Sequence, residues 1–533
     1  MSLKKISIFL VVVLYVVQIE PVDASQVESM PDYAVLFTKT LGHDVRTGLL
    51  VPRGRNSYQK FLEALKKRDK KALKAIEYAP GVEDGFMNPQ GAFAQDVDTK
   101  KFGLWQSPLI ASPQAAAELI EVYLMALCRD VSFDDYGSGV KTDDDGKGNS
   151  VTKKAAGILQ NIGNAYRGPR DDGKVTPSVL FRDVFPGNLV GPYVSQFLLL
   201  DTYESPQDKI GKKQHIPTAS TREFGVSWDD FVAIQNGLIP QQYAAHDVDN
   251  TTLRYPINGR DLGIIVRTHD VGGFFQKAVT CLLHHKAPLA QSMKRQKKVF
   301  DTMKSLIDEV AMQAQKTVWI YKWKELRLRP EAMAGLVHQA KITDTNPYHL
   351  DGLLFDGLLL EWVKEHNALQ ATLPQNSLSL EQAQTYLLGQ VYPGGAPAHP
   401  SYPSGHAIVS GACTTVVKAL FNDQKKINTV IKPVKADSQD PVALVLLNKD
   451  EGADDMTIGS ELDKLVVNIS FGRNWTGIHY RADGHDGNLL GEEVAIGYLQ
   501  NLCSRKKSGF TRFEFTKLDG TRIRITAQGV TVI

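Results

Sequence analysis

With 533 residues, 43% of them hydrophobic, the chain carries enough apolar material to bury the core of one large domain or of two fused halves. Its 61 basic and 59 acidic residues leave a formal net charge of +2, which argues against a nucleic-acid partner and against an acidic tail. Any charge used in function is therefore local. At the N-terminus, Lys4 and Lys5 precede an apolar run from Ile6 to Val17, and Val22-Asp23-Ala24 supplies the small residues that precede a signal-peptidase cut. That run is well short of the roughly 20 residues a membrane-spanning helix needs. Residues 1–24 read as a removed signal peptide, so the mature chain is expected to be secreted (extracellular or periplasmic), to start near Ser25 and to carry no membrane span.

Beyond the leader, apolar periodicity near 3.6 dominates and predicts helices. They fall at 58–76, at Pro113 to Arg129 with one apolar stripe inward, and at 187–200, 262–285, 290–328, 351–369, 404–422, 456–471 and 488–503. Pro330 is expected to stop the long 290–328 helix. Residues 130–175 are rich in Asp, Gly and Lys and read as a long surface loop. The run TDDDGKGN (142–149) within it lacks the spaced ligands and distal Glu of a calcium-binding hand. A polar insertion at 423–456 separates two helices, and strand signals are confined to the C-terminus. There FTRFEFTKLDGTRIRIT alternates about Asp519-Gly520, the signature of a two-residue hairpin turn. The expectation is an all-α fold of bundled helices, divided at 25–260, 261–505 and a β-hairpin tail at 506–533. The four cysteines, Cys128, Cys281, Cys413 and Cys503, match no zinc spacing and allow three pairings, among which the sequence does not choose.

Three separated segments carry chemistry. In the first, Lys322 and Arg329 lie seven residues apart, close to two helical turns, so both can project from one helix face. Taken alone, that spacing also describes a solvated basic face. The second, AHPSYPSGHA (398–407), brings the chain past Pro400 and Pro403 to Ser404-Gly405-His406, where an apolar helix begins. A Ser-Gly pair opening a helix offers a hydroxyl and backbone N–H groups to an oxyanion, aided by the helix dipole, and His406 can act as acid or base beside it. The plainer alternative is a serine-capped helix with a satisfied histidine. In the third, FGRNWTGIHYRAD (471–483), Arg473 precedes His479 by six residues and Asp483 follows it by four. Asp483 can thus hold one ring nitrogen of His479 and leave the other free to bind. Together the segments supply one Lys, two Arg, a Ser, a Gly N–H and two His, an inventory suited to a tetrahedral or trigonal-bipyramidal oxyanion such as phosphate or vanadate.

The order K-x6-RP, PSGH, R-x5-H-x3-D resembles the three-part signature shared by vanadium haloperoxidases and the acid phosphatases of the type 2 phosphatidic acid phosphatase superfamily. The resemblance covers roughly 262–500 directly and the N-terminal half more loosely, through MNPQGAFAQD and AAAELIEVYLMALCRDVSF. It implies two helical bundles of the vanadium haloperoxidase type, with vanadate as cofactor. His479 would bond vanadium, with Asp483 behind it. Lys322, Arg329 and Arg473 would neutralise the oxygens, and Ser404 with the Gly405 N–H would hydrogen-bond to them. His406 would be the acid–base residue, and Lys322 would also polarise a bound peroxide oxygen for halide attack. One departure is Gly472, where the family's usual residue is Ser, a change that algal bromoperoxidases share.

The same pocket could hydrolyse phosphomonoesters, with His479 as nucleophile. The core motif does not separate these chemistries, and a non-catalytic oxyanion-binding protein is a third class. Two outer features favour peroxidase: the 72-residue gap between Pro330 and Pro403 (331–402), and His399, seven residues before His406. Algal bromoperoxidases resemble the chain in having that histidine, and as a catalytic residue His399 could hydrogen-bond peroxide and alter the basicity of His406. Trp319, three residues before Lys322, resembles a position that shapes halide approach. Hydrogen peroxide, bromide or iodide and an organic halogen acceptor are the implied partners, with a homo-oligomer open and nucleic acid excluded. Asn250-Thr251-Thr252 is a plausible glycosylation acceptor, whereas the sequons at Asn468 and Asn474 flank the proposed pocket.

Overall fold

The computed structural model describes residues 33–94, 102–103, 105–136, 151–240, 243, 248–267, 270–294, 296–373, 378–437 and 439–533. The leader at 1–24, the acidic run at 142–149 and the side chain of Asn250 lie outside the described residues.

Two helices with facing glycines, Gly405–Leu420 and Arg481–Ser504, form the centre of the fold. A Cβ on Gly411 would stand 2.1 Å from the Asn488 carbonyl oxygen, and one on Gly491 would stand 2.1 Å from that of Ile408. Only glycine lets the two backbones approach so closely. Helices Val299–Glu325, Ile458–Trp475 and Val271–His284 pack round this pair. Helix Pro113–Cys128 starts at a Ser112 cap, whose hydroxyl accepts the Ala115 N–H (3.2 Å), with Pro113 in the first turn. It is buried nearly all round rather than along one stripe, and its two glutamates are buried with it. Their partners are distant in sequence: Arg481 Nε donates to Glu121 (2.8 Å), and Arg327 donates to Glu118 (2.6 Å).

Residues Tyr33–Ile533 form one unit, and its largest apolar cluster draws on Leu119 and Tyr123 as well as on Ile408, Val416 and Leu465. A second, aromatic cluster (Phe37, Phe61, Phe86 and Trp323) seats the N-terminal helix Pro52–Lys67 against the long Val299–Glu325 helix. At the C-terminus, strands Arg512–Thr516, Arg522–Thr526 and Gly529–Val532 form an antiparallel sheet that buries Phe513, Phe515, Ile523 and Ile525. No helix among the described residues is long and apolar enough to cross a membrane.

Several sequence expectations need correction. Residues 187–200 form two 3-10 turns, Pro186–Leu189 and Gln196–Leu198, because Gly191 (φ 67°) and the following Pro192 interrupt any longer helix. The 262–285 helix is two, Gly259–Ile265 and Val271–His284. The supposed 130–175 loop contains helix Val151–Asn161, whose Ala155, Ile158 and Leu159 pack into the core. Pro330 ends nothing. The preceding helix stops at Glu325 with Leu326 left-handed (φ 51°), and Pro330 opens a new helix, Pro330–Thr343, with Arg329 as its N-cap residue. The C-terminal turn is a three-residue loop, closed by Lys517 N–H to Thr521 O (2.8 Å), with Gly520 left-handed (φ 87°). Two short strand pairs, Ile216–Ala219 with Val248–Arg254 and Val434–Ala436 with Leu444–Leu446, carry no clear alternation in sequence. None of the four cysteines forms a disulfide.

Candidate active site

The three motif segments converge on one cavity of about 220 Å³, whose lining includes Trp319, Lys322, His399, Gly405, His406, Arg473 and His479. Lys322 lies in the last turn of Val299–Glu325, and Arg329 heads the next helix. They do not share a helix face, as the seven-residue spacing suggested. The left-handed turn at Leu326 redirects the chain and brings Arg329 back to the same place.

The Pro-rich segment 397–403 meets these cations with carbonyl groups. Lys322 Nζ donates to Pro400 O (2.8 Å) and Ser401 O (3.0 Å), and Arg329 Nε donates to His399 O (2.9 Å). The third cation, Arg473, sits near the end of Ile458–Trp475 and donates to Val266 O (3.0 Å) and Tyr392 Oη (3.2 Å). Gly472 next to it faces helix Gly259–Ile265 so closely that a Cβ would stand 2.8 Å from Val266 Cγ2. The packing of this chain therefore explains why serine does not stand there.

His479 lies in the turn between the two C-terminal helices. Gly477 there adopts φ 84°, a left-handed value that a side chain would strain. Arg329 can only donate, so its contact with His479 Nε2 (3.0 Å) makes that nitrogen the acceptor and puts the ring proton on Nδ1. Nδ1 in turn donates to Asp483 Oδ2 (2.9 Å), the pairing that the four-residue spacing anticipated. The same oxygen accepts the Tyr480 N–H (3.1 Å) as part of a capping box, while Oδ1 accepts from Arg327 (2.7 Å). Burial, followed by the charges of Arg329, Lys322 and Arg473, holds His479 well below the ordinary histidine range and so neutral. Burial and then Arg329 likewise depress Lys322.

His406, in the first turn of Gly405–Leu420, donates from Nε2 to Val266 O (3.0 Å). His399 Nδ1 lies 2.9 Å from Arg329 Nη2 and 3.1 Å from Pro400 O. One tautomer cannot serve both; Arg329 is an obligate donor, so Nδ1 accepts from it. Trp319 meets the His399 ring edge-on, with centroids 5.2 Å apart and planes at 81°. Asn468 and Asn474 are buried, which excludes them as surface glycosylation sites.

Ser404 and Gly405 test whether an oxyanion fits. Ser404 occupies the N-cap position yet makes no capping bond, and its Oγ is buried without a hydrogen-bond partner. A buried orphan hydroxyl is costly unless a ligand satisfies it. Arg473 Nε is orphaned in the same way. A Cβ on Gly405 would meet nothing within 4 Å, so protein packing does not require glycine there; close approach of a ligand to the backbone would. Three cations, a helix N-terminus, two unsatisfied donors and a neutral imidazole with one accepting nitrogen together suit a bound vanadate or phosphate.

The comparisons agree. A family model described as the VCPO second helical-bundle domain matches residues 370–504. The vanadium-dependent bromoperoxidase of Ascophyllum nodosum is 33% identical over 469 residues, covering 84% of this chain and 78% of that protein. The chain belongs to the vanadium-dependent haloperoxidase family. A second member, the vanadium-dependent bromoperoxidase of Corallina officinalis, is 27% identical over 566 residues, covering 93% of this chain and 91% of its own length. The fold of this family member superposes with TM-score 0.79 on the homohexameric structure of the second vanadate-dependent bromoperoxidase from Ascophyllum nodosum. That match is 25% identical and covers 95% of this chain and 86% of the other.

Sequence reasoning missed the support behind His479. Arg327 stands between the two motif cations and ties Asp483 to Glu118 from helix Pro113–Cys128, and its guanidinium lies 4.0 Å from the Tyr480 ring centroid. An arginine two residues before Arg329 looks like one more basic residue in sequence. Only the distance between Glu118 and Arg327 along the chain hid the connection.

Proposed function

We propose that this chain is a vanadate-dependent bromoperoxidase that uses hydrogen peroxide to oxidise bromide, and iodide, to hypohalous acid, which then halogenates organic acceptors. The observation that carries the reading is the orphaned Ser404 hydroxyl, next in the chain to Gly405 and His406, which line one cavity with Lys322, Arg473 and a neutral His479. Vanadate, when bound, supplies a Lewis-acidic centre that activates peroxide without changing oxidation state. His479 Nε2, the accepting nitrogen of the neutral ring, would hold it, and Arg329, which donates to that nitrogen here, would be at hand to donate to an oxygen instead. Lys322, Arg329 and Arg473 neutralise oxygen charge, and Ser404 Oγ–H with the Gly405 N–H completes the cradle. His406, whose Nε2 is committed to Val266 O, would take up a proton from peroxide and give it back as the acid of the pair. Lys322, which lines the cavity, would polarise a bound peroxide oxygen for attack by bromide. His399 acts through Arg329, whose orientation it fixes, and Trp319 closes that wall of the cavity. The chain is further proposed to be secreted after loss of residues 1–24 and to assemble as a homo-oligomer, as the hexameric Ascophyllum relative does.

Bromination of a monochlorodimedone-type reporter tests the reading, with vanadate-free protein assayed with peroxide and bromide, with and without orthovanadate and with excess phosphate. Activity that requires vanadate, falls with phosphate and disappears in His479→Ala is the expected result. Cleavage of a phosphomonoester without vanadate, together with failure on both bromide and iodide, would instead establish a phosphatase.

A further inference from the structure

We infer that Met87 is a site of turnover-coupled oxidation, where hypobromous acid leaving the cavity converts the thioether to a sulfoxide. This rests on the peroxidase reading above. The described methionines divide sharply. Met125, Met293, Met303 and Met456 are 0% exposed and Met333 2%, whereas Met87 is 41% exposed and Met312 56%. Met87 lines the same cavity as Lys322, His406 and His479, while Met312 lines a different cleft, with Glu309 and Tyr498.

Met87 is held in that place. Its N–H donates to Ala398 O (2.8 Å), immediately before His399, and the Trp323 indole N–H donates to the adjoining Asn88 O (3.0 Å). Gly91, a few residues on, packs so tightly that a Cβ would stand 2.6 Å from Trp319 Cβ. The segment carrying Met87 is therefore fastened to the two walls that also present His399 and Trp319. A soft, partly exposed thioether lining a cavity that releases an electrophilic halogen is a nucleophile placed to meet it.

The step balances with what the reaction supplies. A sulfur lone pair attacks bromine and breaks the O–Br bond, expelling hydroxide. Water then adds at sulfur, bromide leaves with the S–Br electron pair, and two protons are lost, one of them neutralising the hydroxide. Sulfur is oxidised by two electrons, bromine goes from +1 to −1, and the net change is thioether plus HOBr giving sulfoxide plus HBr. Bromide is returned to the pool.

The test compares sulfoxide at Met87 and Met312 by peptide mass spectrometry in the vanadate-loaded holoenzyme, with reporter bromination followed in the same tubes. One arm turns over bromide and peroxide, a second adds a large excess of the reporter as scavenger, a third omits bromide, and a fourth adds reagent hypobromite without peroxide. In turnover Met87 should be oxidised roughly fivefold or more ahead of Met312, and the scavenger should suppress Met312 while sparing Met87. Reagent hypobromite should reverse the order, following exposure. Equal ratios in the turnover and reagent arms, loss of both sulfoxides under scavenger, or Met87 oxidation without bromide would overturn the inference. Absence of reporter bromination would instead refute the peroxidase reading beneath it.

Discussion

Replacing Arg327 by methionine strands two buried carboxylates at once. The arginine is 7% exposed and donates to Asp483 Oδ1 at 2.7 Å and to Glu118 Oε2 at 2.6 Å, with those acids 0% and 4% exposed. Each charge-assisted bond contributes about 1.5–3 kcal/mol, and breaking a buried pair by removing one partner costs about 3–5 kcal/mol. Methionine recovers part of the packing over Tyr480, so we expect a net loss of about 3–5 kcal/mol, a large fraction of the 5–15 kcal/mol typical of a folded domain. Lysine keeps the charge but cannot reach both carboxylates from one planar fork, and should lose about half as much. Burial already pushes the Glu118 carboxyl up. Without Arg327 that acid takes up a proton on folding, so the defect of Arg327→Met grows as pH rises above the ordinary carboxylate range and shrinks in acid. Urea denaturation of the vanadate-free protein, followed by near-ultraviolet circular dichroism at several pH values, reads this directly. Adding Glu118→Gln removes one stranded charge and should return at least about 1 kcal/mol. An Arg327→Met protein within about 1 kcal/mol of wild type, or a double variant less stable than the sum of the singles, would refute the proposed bridge.

The other predictions concern the cradle, the helix pair and a histidine that does not line the cavity. Ser404→Ala should leave stability within about 0.5 kcal/mol, since its Oγ has no protein partner, yet weaken vanadate binding by roughly tenfold or more in a direct titration. Gly491→Ala sets a methyl group against the Ile408 carbonyl and should cost at least about 1–3 kcal/mol in the same unfolding assay, with bromination lost in parallel because the two helices carry the site. Burial alone would depress His485, but the Asp183 carboxylate at 2.8 Å more than offsets it and holds the imidazole above its ordinary value. Its stabilisation is fully present below pH ~6.5 and is lost as pH rises through the higher folded value, so the melting temperature of wild type minus that of His485→Gln should be largest near pH ~6 and decline toward pH ~9.

The site was legible in sequence to the extent that its residues come in short, ordered groups. His479 and Asp483 are four apart, and the His479 ring N–H meets the carboxylate that also caps the helix at Tyr480, so their spacing reported the real contact. Ser404-Gly405-His406 at the start of an apolar run likewise described a helix start that the chain makes by itself. Lys322 and Arg329 were brought together for the wrong reason: their spacing suggested one helix, whereas a left-handed Leu326 and a Pro330 start build two. What remained hidden was long-range. Glu118 reaches Arg327 across 209 positions and Glu121 reaches Arg481 across 360, and neither pair leaves a mark in local periodicity. The helix pattern of Pro113–Cys128 failed in a related way, since paired charges deep in a core look like the polar face of a surface helix.

The way the cations are partnered explains why the cavity retains its pull on an anion. Lys39, next to the site, is neutralised by Glu331 at 2.8 Å, and Arg327 by Glu118 and Asp483. Lys322, Arg329 and Arg473 are held differently. Their described donors meet the carbonyls of His399, Pro400, Ser401, Ile478 and Val266, the Tyr392 hydroxyl and neutral imidazole nitrogens. Carbonyl dipoles orient a buried cation and lower its desolvation cost, but they do not cancel its charge. A carboxylate in their place would have stabilised the folded chain and neutralised the field that an oxyanion senses. Prolines at 397, 400 and 403 serve the same end, because a segment short of N–H donors presents mainly carbonyl oxygens to its surroundings. The fold thus confines full neutralisation to the layer outside the cavity and leaves the inner layer positively charged. That division, more than the count of basic residues, is what makes three adjacent cations a binding site rather than a strained ion-pair network.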